Sequence, residues 1–435
     1  MKKNLLLYLL VFSFSWIQAQ TTKGKRIYLN KGADNGVMFV NAPNCNPGDT
    51  LVVRASLNPW SYIYLDNANG TAAKPIVVVN EGLVEITTGF DINNCRFVKL
   101  SGSGTKDKYG FKVHHSGGVA LTIHGRCADI EAERFSVNEC AFGVWVKNEA
   151  SCDTAINNWI LNNISIHDYE IRNVKIEGFY MGSTDANNTS RPINCNGEQR
   201  FFRPSKLGNI KVYNGFINGT GRPAIMLSNA QYGMSEIYNN VISNVGREFN
   251  DQQGTGISVG MYTRVYVHHN TVKKTYTWGI ASLGGSGLVR IENNKVDSSG
   301  YLDGKTLPWP QNIMIDTRPT NPVDSTRFIV MNNQVAHQGK DAKNIQIWHS
   351  YHTYNSTGNI ICNNLTNGKA ASVGVTEGIK WSSCKNSKAI ISASNKSNRI
   401  ILAVSLFVLI AIVVLIIVYR RQKLLRTMKQ QLVVV

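Results

Sequence analysis

The chain has 435 residues, with 46 Lys and Arg against 28 Asp and Glu, a formal net charge of +18. That total misleads, because Lys2, Lys3 and the seven basic residues from Lys396 onward stand in terminal segments; without them 37 basic residues face the same 28 acidic ones, a balance of +9. Such a surface suits an acidic partner or an anionic membrane as well as plain solubility. No stretch between residues 21 and 395 sustains a 3.6-residue period, which excludes a mainly helical fold.

In chain order, residues 1–20 (MKKNLLLYLLVFSFSWIQAQ) have a basic start, an apolar centre and a small-residue end. This is the pattern of a secretory signal, cut after Ala19 or Gln20. An exported location argues against nucleic acid as a partner. Residues 21–80 read as an N-terminal β cap.

From 81 to 385 the chain repeats one motif: an apolar residue, two polar positions, Asn, any residue, then apolar again. Asn240, Asn270, Asn294, Asn333 and Asn364 hold the Asn place, with Gly215 and Tyr169 in weaker copies. The anchors from Tyr169 onward are 46, 25, 30, 24, 39 and 31 residues apart. The shortest spacings approach the low twenties and the excess is polar loop, as in a coil of minimum length with insertions. A propeller blade needs roughly 40–50 residues at near-constant length. After each turn comes a short strand of period two: GFKVH, GVWVK, GFYMG, AIMLS, GISVG, GIASL, NIMID and NIQIW. Asn side chains can hydrogen-bond along a stack, and Asn tolerates the left-handed backbone of a bend. The pattern predicts an all-β right-handed parallel β-helix of roughly nine rungs with those five Asn stacked at one corner.

These Asn-turn rungs resemble the pectin-lyase-like right-handed parallel β-helix superfamily over about residues 80–380. The resemblance implies the fold, and an outer sheet face as the place for a site. It does not imply one activity, since lyases, polygalacturonases, epimerases, glycosidases and non-catalytic surface proteins share the architecture. The polygalacturonase aspartate pairs are absent. The pectate-lyase Arg-x-Pro-x-x-Arg element is echoed only by Arg318-Pro319 and Arg327, at the wrong spacing.

Pleating turns every second residue of the repeated strands outward. Lys112, Trp145, Tyr180 and Met314 are expected on that face, with His114, Lys147 and Asp316 along its margin and Arg318, Trp348, His349 and His352 late in the coil. Rings stack on apolar sugar faces while charged groups fix carboxylates or hydroxyls. Trp145, Tyr180, Lys112, Trp348 and His349 are therefore candidate ligand-binding residues. A uronate lyase needs a cation to neutralise the carboxylate and a base for the adjacent proton; Lys147, His114, Arg318 and Asp316 are candidates for such parts. No cofactor motif is present. A calcium site remains compatible, because carboxylates converging from separate rungs leave no sequence spacing. The eight cysteines match no zinc pattern and suit disulfides in an exported chain, with Cys362 and Cys384 about one rung apart.

Residues 386–399 form a polar linker. The uncharged run 400–419, at about 1.5 Å per residue, matches a hydrocarbon core of roughly 30 Å. The basic tail 420–435 then marks the cytoplasmic side of a single-pass membrane protein. The expected function is a membrane-anchored exported domain that binds or processes carbohydrate, with an acidic polysaccharide as the partner. Two alternatives stand: the sensor module of a truncated or split receptor, with a signalling partner for the tail, and a non-catalytic adhesin.

Overall fold

The computed structural model describes residues 24–29, 37–41, 45–185, 191–318, 326–349 and 356–384. Residues 1–20, 386–399, 400–419 and 420–435, which carry the expected signal, linker, span and tail, lie outside these, as do Pro319 and His352. Among the described residues no helix is long and apolar enough to cross a membrane, and the one α-helix is the single turn Thr154–Asn157.

The chain winds through three sheet faces in turn, and each strand pairs in parallel with its equivalent one coil later. The first face runs from Arg26–Leu29 to Trp381–Ser382, thirteen strands in one parallel order, with Ala230–Tyr232 paired at its side. The second and third faces belong to one 22-stranded sheet. They meet at the long strand Val84–Asn93, whose first half pairs with Phe111–His114 and whose second half pairs with Val119–His124. The architecture is therefore a parallel β-helix, as the repeats predict, with three corrections. A complete coil, such as Val265–His268, Thr271–Thr275 and Ile280–Leu283, has three strands, one more than the repeat marks. The coils number thirteen along the first face rather than about nine. Strands Arg26–Leu29, Thr50–Arg54 and Ile76–Glu81 already occupy that face, so coiling starts well before residue 81.

Alternation explains the core. Val267, Ile291 and Val330 stand in register on the first face and are fully buried, while their neighbours Tyr266 and Arg290 point out. Repeated on three faces, this buries a continuous column of Val, Ile, Leu and Phe.

The five Asn stack as expected, at the corner between the first and second faces. Each Nδ2 donates to the Oδ1 of the next Asn at 2.9–3.0 Å, from Asn240 through Asn270, Asn294 and Asn333 to Asn364. The same Oδ1 accepts the preceding backbone N–H at 3.0–3.1 Å. The left-handed backbone falls on the residue before each, Asn239, His269, Asn293, Asn332 and Asn363. The ladder Asn is thus chosen for its amide, and the bend is made one residue earlier.

The weak copies cap this ladder. Tyr169 is fully buried, and its hydroxyl donates to Asn240 Oδ1 at 2.9 Å. Its ring fills the space where a Cβ on Gly215 would sit, 2.0 Å from Cζ, so only glycine fits there. Below Tyr169 the corner is aromatic, with Phe135 stacked on it and Phe111 in register with Phe135.

Asn270 accepts two hydrogen bonds from Asn240 and donates to Ile237, His268 and Asn294. Asn270→Leu strands these buried partners and should lower stability by about 1–3 kcal/mol, read as a reduced denaturant midpoint.

Candidate functional site

The outward positions of the third face form one line along the coil axis. Strand register places Asp91, Thr122, Trp145, Tyr180, Met226, Ser258, Ala281, Met314 and Gln346 side by side in that order. Neighbours on such a line are about 4.8 Å apart. Loops between the strands rise on either side and turn the line into the floor of a groove.

Three cavities join along it. One of about 420 Å³ lies over Thr122, His124, Trp145 and Lys147. The next, about 480 Å³, shares Trp145, Lys147 and Glu149 with it and adds Glu177, Tyr180 and Arg222. The third, about 830 Å³, shares Thr184, Met226 and Gln253 with the second and is lined by Trp278, Trp309, Met314, Arg318 and Trp348.

At the centre Lys147 is almost wholly buried. Its ammonium lies 4.9 Å from the Trp145 ring and 4.2 Å from the Tyr180 ring, and reaches Glu149 at 2.5 Å. Contacts of this kind hold a cation against ring faces when water is excluded. The two rings meet edge to face at 6.0 Å, and the buried Trp145 Nε1 finds no hydrogen-bond acceptor among the described residues.

Beside them stands Glu177, only 6% exposed. Its Oε1 is 4.0 Å from Arg222 Nη1, and its Oε2 has no hydrogen-bond partner among the described residues. Arg222 is turned toward Glu248, at 2.8 Å. Burial lifts the Glu177 carboxyl above the usual carboxylate range, against the pull of Arg222.

The wall is secured covalently. Cys152 and Cys195 form a disulfide between the loop carrying the Thr154–Asn157 turn and the hairpin Ile193–Cys195/Glu198–Arg200. Asn148 ties the loop base to the Gly125 carbonyl and to Ser205, both at 2.9 Å. Cys362 and Cys384 are also bonded, as their spacing suggests.

Of the sequence candidates, Trp145, Tyr180 and Lys147 come together at one end of the groove, and Met314, Arg318 and Trp348 at the other. Asp316 is on the expected strand but fully buried under Arg318, whose Nε donates to it at 2.8 Å. His349 follows Trp348 beyond that end and is not part of the lining. Lys112 and His114 are misplaced by the sequence reading: Phe111–His114 is a second-face strand paired with Phe135–Asn138, and the third-face strand of that coil is Val119–His124. Both strands alternate and follow Gly-rich turns, so the pattern alone did not separate them. The reading also missed Glu177, Arg222, Trp278 and Trp309. Glu177 stands directly before Gly178 of the repeated GFYMG strand, which is the one signal that could have found it.

Away from the groove lies one candidate metal-binding cluster among the described residues. Glu131, Glu133 and His167, from successive coils of the first face, have ligand atoms within 4.8 Å of one another. Lys99 Nζ lies among them, 2.7 Å from Glu131 and 2.8 Å from Glu133, and supplies the counter-charge. The His167 hydrogen bond and Lys99 pull Glu131 down to about 2. His167 continues along the coil axis as a stack with Tyr213, Tyr238 and His268, rings 4.5–4.9 Å apart.

No family model matches this chain, and no curated protein does. Among solved structures it is similar to an alginate lyase from Paenibacillus sp. str. FPU-7, at 11% identity over 81% of this chain and 98% of that one, TM-score 0.45. A lacto-N-biosidase from Eubacterium ramulus is matched at 11% identity over 78% and 62%, TM-score 0.44. A mannuronan C-5 epimerase A-module from Azotobacter vinelandii is matched at 11% over 77% and 91%, TM-score 0.33. The likeness to such coils is one of general fold and is too distant to transfer chemistry.

Burial opposes the charged form of His167, but hydrogen bonds to Glu131 and Asp168 outweigh it and raise the imidazole pKa. That contribution to stability is complete below the ordinary histidine range and lost as pH rises through the folded-state value. Melting temperature between about pH 5 and 9 should therefore fall less with pH in His167→Gln than in the parent.

Proposed function

We propose that the third-face groove binds a polysaccharide chain laid along the coil axis and acts on it at the Trp145–Lys147–Tyr180 end. The observation that carries this reading is the groove itself: three joined cavities over a straight line of side chains, with aromatic platforms at both ends. Sugar rings stack on such platforms, and a concave site with few, placed polar groups orients them. Lys147, Arg191 and Arg222 line one cavity with Glu149, Glu177 and Asp185, and burial disfavours the charged form of Glu177, a balance that suits a carboxylate-bearing chain. In an elimination on such a chain, a cation offsets charge developing on the carboxylate while a neighbouring group takes the adjacent proton; we assign these parts to Lys147 and Tyr180, whose ammonium and ring lie 4.2 Å apart.

The sequence supports a setting for this activity. An export signal at residues 1–20 and a span at 400–419 would hold the coil outside the cell on a single membrane anchor, within reach of wall or matrix polymers.

The double variant Trp145→Ala, Tyr180→Ala should lose at least about tenfold in affinity for an acidic oligosaccharide, ~1.4 kcal/mol, with its melting temperature nearly unchanged. Calorimetry and a thermal scan on the same samples decide it. Unchanged binding, or no binding of any glycan by the parent protein, would sink the carbohydrate reading and leave a sensor or adhesin.

A further inference from the structure

We propose that Glu177 reads the carboxylate of a uronic-acid unit held over Tyr180 by sharing one proton with it, an inference that rests on the groove being the carbohydrate site. Glu177 sits where the chain enters the third face. Its backbone carbonyl accepts from Gly143 N at 3.0 Å, which fixes it against the preceding coil. The side chain lines the 480 Å³ cavity while remaining 6% exposed, and Oε2 has no partner among the described residues. An unpartnered buried oxygen facing a cavity is an acceptor or donor waiting for something.

The groups around it decide which. From the next coil comes Arg222, at 4.0 Å, beyond hydrogen-bond reach and turned toward Glu248. Lys147 on the preceding coil is held by Glu149 and two rings. Asp185, Arg191 and Tyr180 complete the charged and titratable lining, and His124, 2.8 Å from Asp91, stands in the adjoining cavity. An ionised Glu177 would be a buried anion with its own backbone N–H as donor and no close side-chain donor among the described residues, which is costly. Burial instead favours the neutral carboxyl, which owns one O–H.

The strongest acceptor for that O–H is a carboxylate. An O–H···O⁻ bond is short and about twice as strong as a neutral one. Two carboxyl groups in contact hold one proton, because both cannot ionise together. The single remaining negative charge then lies between Arg222 and Lys147. A neutral sugar hydroxyl can accept the same hydrogen bond but does not draw a proton from solution.

The consequence is a proton balance. Above the pH at which free Glu177 ionises, binding an acidic oligosaccharide must take up a proton, and affinity falls by up to about tenfold per pH unit. The test is titration calorimetry of the full-length protein in detergent with a linear oligouronate and, as the neutral probe, cellotetraose. Buffers of different ionisation enthalpy are compared over about pH 5 to 9. The parent should take up close to one proton per oligouronate at the upper end and none with cellotetraose. Glu177→Gln, an isosteric permanent donor, should bind the oligouronate with no uptake and with the steep fall in affinity removed. Absence of uptake by the parent overturns the proposal without any variant. Equal uptake in Glu177→Gln overturns it too and transfers the proton to His124 or another lining group. If the oligouronate binds with no uptake, the groove reading stands and only Glu177's role fails; if neither probe binds, both fall.

Discussion

Everything here depends on the requirement that each coil present its neighbour with the same row of hydrogen-bonding groups. Parallel strands about 4.8 Å apart satisfy the backbone only if equivalent residues stay in register, coil after coil. The corner between the first and second faces is where that register is most tightly held. There the Asn amides bond both to one another and to the main chain of adjacent coils. Loops leaving the other corners are held by shorter ties, such as Asn312, Asn344 and Ser372 bonded across successive coils, so coil length varies while the stack does not. The groove is a product of that variation: a straight floor set by register and walls set by insertions.

The floor and the walls make different physical demands. Floor positions on the third face must only point outward, so Trp145, Tyr180, Met226, Ser258, Ala281 and Met314 differ widely in size. Walls must hold their shape without the help of a ladder. They do so by the Cys152–Cys195 bond, by Asn148, and by the Trp278–Trp309 contact with Gln311 behind it. The late half of the floor is roofed closely enough that Met314 is only 2% exposed. In the early half the floor residues Trp145 and Tyr180 stay partly exposed, beside the buried Lys147 and Glu177.

How much of this was legible in the sequence follows from which interactions repeat. Asn240 to Asn364 were legible because one physical role recurs at one place in each coil. Above that pattern, the parity that turned Trp145 and Tyr180 outward was legible too. The aromatic half of the same corner was not, since Phe111, Phe135 and Tyr169 fill it by packing, and apolar rings also recur at core positions away from the corner. Lys112 and His114 failed for a related reason: period two says which side a residue points to but not which of three faces it belongs to. Glu177 and Arg222 belong to turns, where burial and charge come from partners in other coils that no spacing records.

The pairing of Tyr169 with Gly215 also says how such a chain can change its length. On one side of it the coils from Asn240 to Asn364 offer the same corner, an Asn bonded to the Asn of the neighbouring coil. A coil there is a self-similar unit: copying or deleting one joins like to like and leaves the stack unbroken. On the other side the corner is a particular fit of rings to a missing side chain, and no coil can be exchanged for another. The protein thus has a fixed foundation that carries Lys147 and Glu177, and an extensible shaft beyond it. The reach of the groove can be tuned one coil at a time while its charged end is left untouched.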